Sequence, residues 1–434
     1  MRSATPESDR VEVRHYGFLA LLTLLNVMNF VDRQLLASFA NYIVPDLGLT
    51  NTEFGLLTGF AFIVFYSAMG LFAGALADMV HRPRLIAGAL VLWSVLTAAS
   101  GAARGFATLL VPRMFIGVGE SVLTPASMSM LSDRFPSDRM GFAAGFYYMG
   151  VPIGVAASLL IVGYLGPAIG WRSCFMLLGG LGVVLAVVML LVKETPRKHV
   201  TPDANGAERE GFRGIVQTLR GALSSRALVA TIAGGVAFHF ILGAAAFDQL
   251  WLVKERGFDR NVIAQWTGWI GLIGGVSGNL FGGFAGDWWQ RNTNSGRPMF
   301  LFWVGLLLTP IAFVYRIVDP DSAWFWIGVG VGYFQLGTFY GPTFATVQEL
   351  VPPRIRASVV AFYILMLNFV GLGIGITGGG ILIDALAEAG NPEPFTTTLL
   401  VFTALSAVAI PCFWIAGRRF FADRDRLYAA DPKP

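Results

Sequence analysis

Asn29-Phe30-Val31-Asp32-Arg33 lies inside a run of about 29 mostly apolar residues, 16–44, which is long enough to cross a lipid bilayer. Its last two residues are charged and therefore lie at membrane depth. A second long apolar run contains Arg113 and Glu120, which are seven residues apart and so lie on one side of a helix, about two turns from each other. Ionisable groups at membrane depth are costly and usually face a polar cavity or a partner. These four charges therefore predict the functional site.

The composition is that of a polytopic membrane protein. Of the 434 residues, 55% are hydrophobic and only 13% are charged, about half the charged share of a usual soluble domain. The 52 glycines fit this class, because close helix contacts in lipid depend on small residues. Both cysteines lie in apolar runs, which argues against a disulfide or a metal site, and no cofactor is expected. The net charge of +4 does not indicate nucleic-acid binding, because most basic residues fall on one side of the membrane.

Apolar runs of about 19 residues or more predict twelve spans. They cover residues 16–44, 54–77, 85–103, 107–132, 140–165, 172–192, 227–252, 262–286, 298–317, 323–348, 357–386 and 396–420. The one long connection is rich in charges, with proline and glycine, as is typical of a linker. We predict an all-α membrane protein whose twelve transmembrane helices form two pseudo-symmetric six-helix halves. The first half is 1–192, the cytoplasmic linker is 193–226, and the second half with a short cytoplasmic tail is 227–434.

Lysine and arginine are distributed unevenly between the two sides of this arrangement. One side holds 23 of the 31 basic residues and the other holds 6, while Arg33 and Arg113 lie in the membrane. The positive-inside rule therefore predicts that both termini are cytoplasmic. The chain has no Asn-X-Ser/Thr sequon. This favours the plasma membrane of a bacterium, its inner membrane, over a membrane of the secretory pathway.

The two halves share a sequence repeat at about 210 residues. Gly74-Ala-Leu-Ala-Asp78, with Arg82 four residues on, recurs as Gly283-Phe-Ala-Gly-Asp287, with Arg291 four residues on. Each copy lies where the second helix of a half is predicted to reach the cytoplasm. These loops, together with Gly170-Trp171-Arg172 before the sixth span, resemble the major facilitator superfamily.

The first half also resembles the Spinster family of lysolipid and sphingolipid transporters. The similar segments are Asn29 to Arg33, Trp93-Ser94, Arg113 with Gly117-Val118-Gly119-Glu120, and Asp133-Arg134-Phe135-Pro136. The resemblance implies a secondary active transporter that moves a lysophospholipid or a sphingosine 1-phosphate-like lipid by alternating access, with proton coupling. ATP is not expected to drive it directly, because the chain lacks Gly-x-x-x-x-Gly-Lys-[Ser/Thr].

The resemblance also implies roles for the membrane charges. Asp32 and Glu120 are expected to be the proton-coupling or gating acids, and Arg33 or Arg113 is expected to contact the head group of the substrate. The alternative is a static ion-pair network that only joins the first and fourth helices. Further substrate contacts are expected from polar and aromatic residues of both halves: Asn29, Phe247, Tyr340, Tyr363 and Asn368.

A second group of residues is expected to control the conformation. In the superfamily the loop after the second helix latches the two halves together when the transporter is open outward. The residues expected to take part are Asp78, Arg82, Arg134, Arg139 and, as a weaker second copy, Asp287. The alternative is that these charges only cap helix ends. In the seventh span, His239 is more simply a packing residue than a proton relay, and Asp248 is expected near the outer end.

Other functions remain open at this point. A proton-coupled transporter of small organic anions or sugar acids shares the same arginines and loops. A sensor built on this fold would bind a ligand without moving it. An enzyme is not expected, since none of the four histidines belongs to a metal-ligand cluster or a nucleophile and base pair. The expected partners are a lipid or small-molecule substrate, protons and membrane lipids, and the chain is expected to be a monomer.

Overall fold

The computed structural model of the protein describes residues 13–196 and 220–429, and the regular structure in these ranges is helical. Most of the predicted linker, the first twelve residues and the last five lie outside the described residues. A few side chains within helices also lie outside the description: Leu71, Gly74, Ala75, Asp78, Ser137, Asp138, Arg354 and Ala357.

Six helices make up the first half, and four of them consist of two consecutive segments. They are α1 (Val13–Ser38, continued by Ala40–Leu47), α2 (Asn51–Thr58 and Phe60–Met79), α3 (Arg82–Ser100), α4 (Phe106–Glu120 and Leu123–Arg134), α5 (Ser137–Tyr148 and Gly150–Tyr164) and α6 (Gly166–Leu190).

The second half repeats this order. Its helices are α7 (Arg226–Ala244, a 3₁₀ turn Ala245–Phe247, and Asp248–Lys254), α8 (Arg260–Asn292), α9 (Arg297–Ile317), α10 (Ala323–Leu350), α11 (Pro353–Leu365, a π-helical stretch Met366–Leu372, and Gly373–Glu388) and α12 (Pro394–Ala407 and Ala409–Ala429).

Each of the twelve predicted spans corresponds to one of these helices. Ten helices in the described ranges are long and apolar enough to cross a membrane. The other two, α8 and α10, have 33 and 28 residues, so length is not what sets them apart. Their many glycines and polar aromatic residues lower the mean hydropathy, although their central parts carry no charge.

The helices α8 and α10 pack against each other through glycines. A Cβ atom on Gly278 would overlap the carbonyl oxygen of Phe334, and one on Gly282 would come 2.7 Å from the Cα of Thr338. In the opposite direction, a Cβ on Gly337 would come 2.7 Å from the backbone nitrogen of Asn279. The backbones are therefore too close for any larger residue, which is the packing expected of helices in lipid.

At one end of the bundle, two helices begin with N-terminal capping residues. At α2, the hydroxyl of Thr50 accepts from the backbone nitrogen of Glu53, and the Glu53 carboxylate accepts from the backbone nitrogen of Thr50. At α8, Asp259 accepts from the backbone nitrogens of Val262 and Asn261, which hold the pKa of this loop carboxyl below its usual value. Both caps lie at the end of the bundle that holds the α1–α2 and α7–α8 loops.

The two halves are joined at this same end, which we call the closed end. The Asp384 carboxylate of α11 accepts from the backbone and side-chain donors of Asn51 and Thr52 at the start of α2, at 2.7 to 3.2 Å. On the other side of the bundle, Gln265 of α8 donates to the carbonyl oxygen of Gly163 in α5 at 2.8 Å. The described ion pairs at the opposite end, where both described chain ends lie, instead join groups within one half.

Candidate functional site

Arg33 and Glu120 form an ion pair in the middle of the first half. The Arg33 Nε atom donates to Glu120 Oε2 at 3.1 Å, and the Asn29 amide oxygen accepts from Arg33 Nη2 at 3.5 Å. The Glu120 side chain is fully buried, whereas 23% of the Arg33 side chain is exposed. Arg33 is therefore the part of the pair that a molecule entering the bundle can reach.

Two glycines explain how α4 brings Glu120 to this position. A Cβ atom on Gly117 would come 2.7 Å from the carbonyl oxygen of Phe62 in α2, and one on Gly119 would come 3.1 Å from the carbonyl oxygen of Ala89 in α3. Only glycine allows α4 to approach both neighbours so closely. The Gly117-Val118-Gly119-Glu120 motif thus places its carboxylate against α1.

Aromatic rings surround the Arg33 guanidinium. Its Cζ atom lies 4.8 Å from the ring centroid of Phe30, 5.0 Å from that of Phe62 and 4.5 Å from that of Tyr66. Such contacts stabilise a cation that has lost part of its hydration. Phe62 and Tyr66 were not predicted as site residues. The only sequence signal for them is their spacing of four residues in α2, which places both rings on one face.

Arg113 is buried and binds backbone oxygens. Its Nε atom donates to the carbonyl oxygen of Leu57 and its Nη2 atom to that of Arg33, both at 3.4 Å, and its guanidinium lies 5.2 Å from the Phe62 ring centroid. It is 1% exposed. In this conformation Arg113 therefore fixes the backbone next to Arg33 and is shielded from a ligand.

Asp32 is in a different environment from Glu120. It is 2% exposed, and within the described part of the chain neither carboxylate oxygen accepts a hydrogen bond. The indole nitrogen of Trp93 is the neighbouring donor of this carboxylate, but no hydrogen bond of normal length joins them. The charged groups that act on Asp32 are Glu120 and Arg113. The predicted cluster of four charges is thus brought together, but only Glu120 has a cationic partner at hydrogen-bond distance.

The second half contributes Tyr340 and His239 to the wall opposite Arg33. The Nδ1 atom of His239 lies 2.8 Å from the carbonyl oxygen of Gly235, so Nδ1 carries the proton. The Nε2 atom then accepts from the Tyr340 hydroxyl at 3.3 Å. Arg33 lies close enough for its charge to act on that hydroxyl.

The other predicted substrate contacts lie apart from this cluster. Phe247 is fully buried at the closed end, where its ring lies 5.5 Å from that of Phe54 in the other half. Tyr363 is buried beside Phe344, and its hydroxyl has no partner in the described residues. Asn368 lies in the π-helical stretch of α11 and is partly exposed.

The predicted latch residues of the first half form a network within that half. Arg82 is 1% exposed and binds Asp133 at 2.5 Å and Glu194 at 2.9 Å. Arg134 donates to the hydroxyl of Thr195 at 2.7 Å, and Arg139 donates to the hydroxyl of Tyr16 at 3.0 Å. The side chain of Asp78 lies outside the described part. The network joins the start of α3 and the end of α4 to the residues that follow α6, and a latch between the halves stays a prediction.

The second half has a matching network. Its central arginine is Arg297, whereas the sequence repeat indicated Arg291. Asp287 lies 4.0 Å from Arg291, whose side chain is 80% exposed, but 2.7 Å from Arg297, whose side chain is 16% exposed. Arg297 also binds Glu349 at 2.6 Å. Because Arg297 begins α9 as Arg82 begins α3, the counterpart of Arg82 is Arg297 rather than Arg291.

No group of three or more His, Cys, Asp and Glu side chains in residues 13–196 and 220–429 is arranged to hold a metal ion. The charged cluster is instead an arginine paired with a carboxylate and enclosed by aromatic rings inside a helical bundle.

The profile of the Major Facilitator Superfamily matches residues 22–376, which is most of the chain. The chain belongs to the Major Facilitator Superfamily. It is therefore a multi-pass membrane transporter for a small-molecule substrate and not an enzyme, and the predicted all-α fold is confirmed. The inward-facing, occupied crystal structure of a bacterial homolog to the human lysosomal transporter Spinster has a TM-score of 0.77, with 21% identity, and covers 97% of this chain and 99% of that one.

Curated relatives of this superfamily member differ in what their names say they transport. An MFS-type efflux pump of Mycolicibacterium smegmatis is 28% identical over 431 residues, which is 96% of each chain. A hexuronate transporter of Bacillus subtilis is 27% identical and covers 90% of this chain and 93% of its own. A probable sphingolipid transporter of Arabidopsis thaliana, spinster homolog 2, is 25% identical and covers 96% of this chain and 89% of its own. The predicted resemblance to the Spinster family is confirmed.

Proposed function

We propose that the protein is a secondary active transporter that moves an amphipathic lipid with an anionic or zwitterionic head group, such as a lysophospholipid or a sphingosine 1-phosphate-like lipid. The observation that carries this proposal is Arg33, a partly exposed guanidinium inside the bundle that is flanked by three aromatic rings. A guanidinium offers paired donors to a phosphate, and the aromatic rings favour an apolar chain next to it. The sphingolipid transporter among the relatives supports the same substrate class.

Proton coupling follows from the competition for Arg33. A substrate anion and the Glu120 carboxylate bind the same guanidinium, so a proton on Glu120 would release Arg33 to the substrate. Asp32 is the second coupling acid in this proposal, because it lies within reach of the charges of Glu120 and Arg113. Proton uptake and substrate binding are thereby linked, which is the requirement for coupled transport.

Both termini are cytoplasmic in this proposal, because the positive-inside rule places the basic side there. The closed end is then the outer end, and the conformation is inward-facing, as in the Spinster homolog. Arg82 and Arg134 would exchange contacts when the cytoplasmic end closes, which is their proposed role as a latch. The proposal places the chain in a bacterial inner membrane as a monomer with two halves at 1–192 and 227–434.

A flux assay tests the proposal. The purified chain is reconstituted in liposomes, and entry of a fluorescent lysophospholipid is measured with and without a pH gradient. We expect transport that the gradient accelerates and that excess unlabelled lysophospholipid inhibits. Binding without accumulation under any gradient would contradict transport and favour a sensor.

The second candidate substrate class is sugar acids, which the identity to a hexuronate transporter over 90% of the chain favours. A hexuronate carboxylate would also pair with Arg33. Competition distinguishes the two candidates in the same liposomes. If lysolipids inhibit lysophospholipid transport and hexuronates do not, the lipid is the supported substrate class. If the protein takes up hexuronates and does not transport lysolipids, sugar acids become the substrate class.

A further inference from the structure

We propose that Asp248 binds the cationic group of a zwitterionic substrate while Arg33 binds its anionic group. This inference rests on the proposed lipid transport and makes the substrate class more specific. The head group would carry an ammonium and a phosphate, as phosphoethanolamine does.

Asp248 lies at the closed end of the space between the halves. It follows the 3₁₀ turn that interrupts α7, and its two neighbours in sequence contact the other half. The ring of Phe247 packs on Phe54 of α2, and the carbonyl oxygen of Gln249 accepts from the Asn41 side chain of α1 at 2.6 Å. This segment of α7 therefore faces the first half, which also supplies Arg33.

The Asp248 carboxylate can accept further hydrogen bonds. Its Oδ1 atom accepts from Arg316 Nη1 at a single distance of 3.3 Å, and its Oδ2 atom accepts no hydrogen bond within the described part of the chain. The side chain is 31% exposed although it belongs to a membrane helix, six residues before that helix ends. Asp384 is the contrast, because both of its oxygens bind donors of α2.

Arg316 holds the carboxylate in position and is itself shielded. Its side chain is 4% exposed, and its guanidinium lies 5.3 Å from the ring centroid of Trp251 and 4.8 Å from that of Tyr315. The aromatic rings stabilise this buried cation, and the single hydrogen bond to Oδ1 leaves Oδ2 of Asp248 able to bind a second cation. Tyr333 is close enough for the charge of Asp248 to act on it, and its ring adds an aromatic surface for an ammonium group.

Two helices indicate the height difference between Asp248 and Arg33 along the bundle axis. On α1, Asn41 contacts the residue after Asp248 and lies eight residues beyond Arg33, which corresponds to about 12 Å. On α10, Tyr333 lies near Asp248 and Tyr340 near Arg33, and seven residues correspond to about 10 Å. A phosphate on one charge and an ammonium on the other, a few bonds apart, fit this separation.

Transport of two lysolipids that differ in their head groups tests the inference. Wild-type protein and Asp248→Asn are reconstituted in liposomes, and kcat/KM is measured for lysophosphatidylethanolamine and for lysophosphatidylglycerol, which has no amine. We expect wild-type protein to prefer the amine-bearing lipid, and Asp248→Asn to lose that preference by about tenfold, the effect of one charged hydrogen bond. Because lysophosphatidylglycerol has no amine, its kcat/KM should fall less than that of lysophosphatidylethanolamine.

Variants of the ion pair exclude a folding artefact. Asp248→Asn leaves Arg316 without its anion, so the double variant Asp248→Asn with Arg316→Gln removes both charges and should also transport lysophosphatidylglycerol without a preference for the amine. Asp321→Asn, in the exposed loop after α9, is the matched control and should behave as wild type.

The outcomes separate this inference from the proposed function. Equal loss of both lipids in a correctly inserted Asp248 variant, or no change in preference, would overturn the inference and leave lipid transport standing. A Na⁺ dependence of lysophosphatidylglycerol transport that disappears in Asp248→Asn would assign the acid to a coupling ion and also overturn it. If wild-type protein transports neither lipid, the proposed function itself fails.

Discussion

At Arg33, one guanidinium is shared by a carboxylate and three aromatic rings. The rings of Phe30, Phe62 and Tyr66 come from α1 and α2, and Glu120 comes from α4. In the proposed mechanism a ligand anion competes with Glu120 for the guanidinium and leaves the rings in place. Three properties can therefore be tested separately: the charge of Arg33, the planar shape of its guanidinium, and the competition between Glu120 and a ligand for that guanidinium.

The variant Arg33→Lys tests the planar shape of the cation. Lysine keeps the charge but lacks the paired donors and stacks less well on aromatic rings. We expect an apparent affinity for lysophospholipid about tenfold weaker than that of wild type, and a stronger loss in Arg33→Gln. Binding is measured by tryptophan fluorescence or by competition. Equal affinity of Arg33→Lys and wild type would show that only the charge matters.

The variant Glu120→Gln tests the competition for Arg33. Glutamine has the shape of a protonated glutamate, so Arg33 should be available to the substrate at every pH. We expect substrate binding to be retained or tightened, and transport to lose its response to a pH gradient. Asp32→Asn should also lose that response, but it leaves the Arg33–Glu120 pair intact and should not tighten binding. Full pH-sensitive transport in both variants would contradict the coupling proposal.

Sequence predicted which charges lie at membrane depth, because a charge inside an apolar run is visible without any structure. It did not predict which acid pairs with which arginine. Asp32 and Arg33 are adjacent in sequence, yet Arg33 binds Glu120, 87 residues away, because neighbouring side chains point about 100 degrees apart on a helix. Phe62 and Tyr66 were missed because aromatic residues are common in every span and only tertiary packing selects these two.

At the scale of elements, the contact between α11 and α2 holds the closed end shut. Asp384 receives four hydrogen bonds, and two of them come from the backbone nitrogens of Asn51 and Thr52, at the start of the helix, where a negative charge is favourable. This contact exists only while the halves are together at that end. Its strength therefore contributes to the balance between the two open forms of the transporter.

The variant Asp384→Asn should shift that balance. Losing the charge weakens hydrogen bonds worth about 1.5–3 kcal/mol each when charged, so we expect at least a tenfold shift toward the form open at this end. Distances between spin labels on the α1–α2 and α7–α8 loops measure the shift. Asp46→Asn is the matched control, since Asp46 pairs with Arg172 in its own half. The same distance distribution in all three proteins would contradict this role.

The repeat in sequence predicted where the charged networks of the two halves lie, and its pairing of Asp287 with Arg291 is present at 4.0 Å, but it did not indicate Arg297, the closer partner. The offset of four residues that links Asp78 and Arg82 led to Arg291, whereas the packed residue is Arg297. The cause is that α8 continues to Asn292, so Arg291 stays on an exposed helix face. Local spacing could not reveal this, because it depends on where the helix ends.

At the scale of the whole molecule, two contacts between the halves close the same end from opposite sides. One joins α2 to α11 through Asp384, and the other joins α5 to α8 at Gly163. A Cβ atom on Gly163 would come 2.5 Å from Cγ of Gln265 and 3.0 Å from the carbonyl oxygen of Asn261. Either contact can be weakened separately.

The variant Gly163→Ala should therefore also open the closed end, and its effect should add to that of Asp384→Asn. The two sites share no partner, and free energies at independent sites that act on one equilibrium are additive. Spin-label distances in the two single variants and the double variant measure this. Gly180→Ala, where a Cβ meets nothing within 4 Å, is the control. A double variant no more open than either single variant would mean that the two contacts open in separate steps.

Composition and span count predicted a helical membrane protein with twelve spans, and the resemblance to the major facilitator superfamily implied their arrangement in two six-helix halves. They could not predict the conformation. The chain is closed at one end because particular pairs such as Asp384 with Thr52 meet, and their sequence separation of 332 residues leaves no local signal.

The close glycine packing of α8 against α10 has a consequence for the biogenesis of the protein. Neither helix is among the ten that are apolar enough to enter a membrane by themselves, and the more apolar α9 lies between them in the chain. The translocon releases a segment into lipid according to its own hydrophobicity. We expect α8 and α10 to insert poorly when each is tested alone in a host protein, and efficiently when α8 to α10 are synthesised together, so that the second half inserts as a group of three helices.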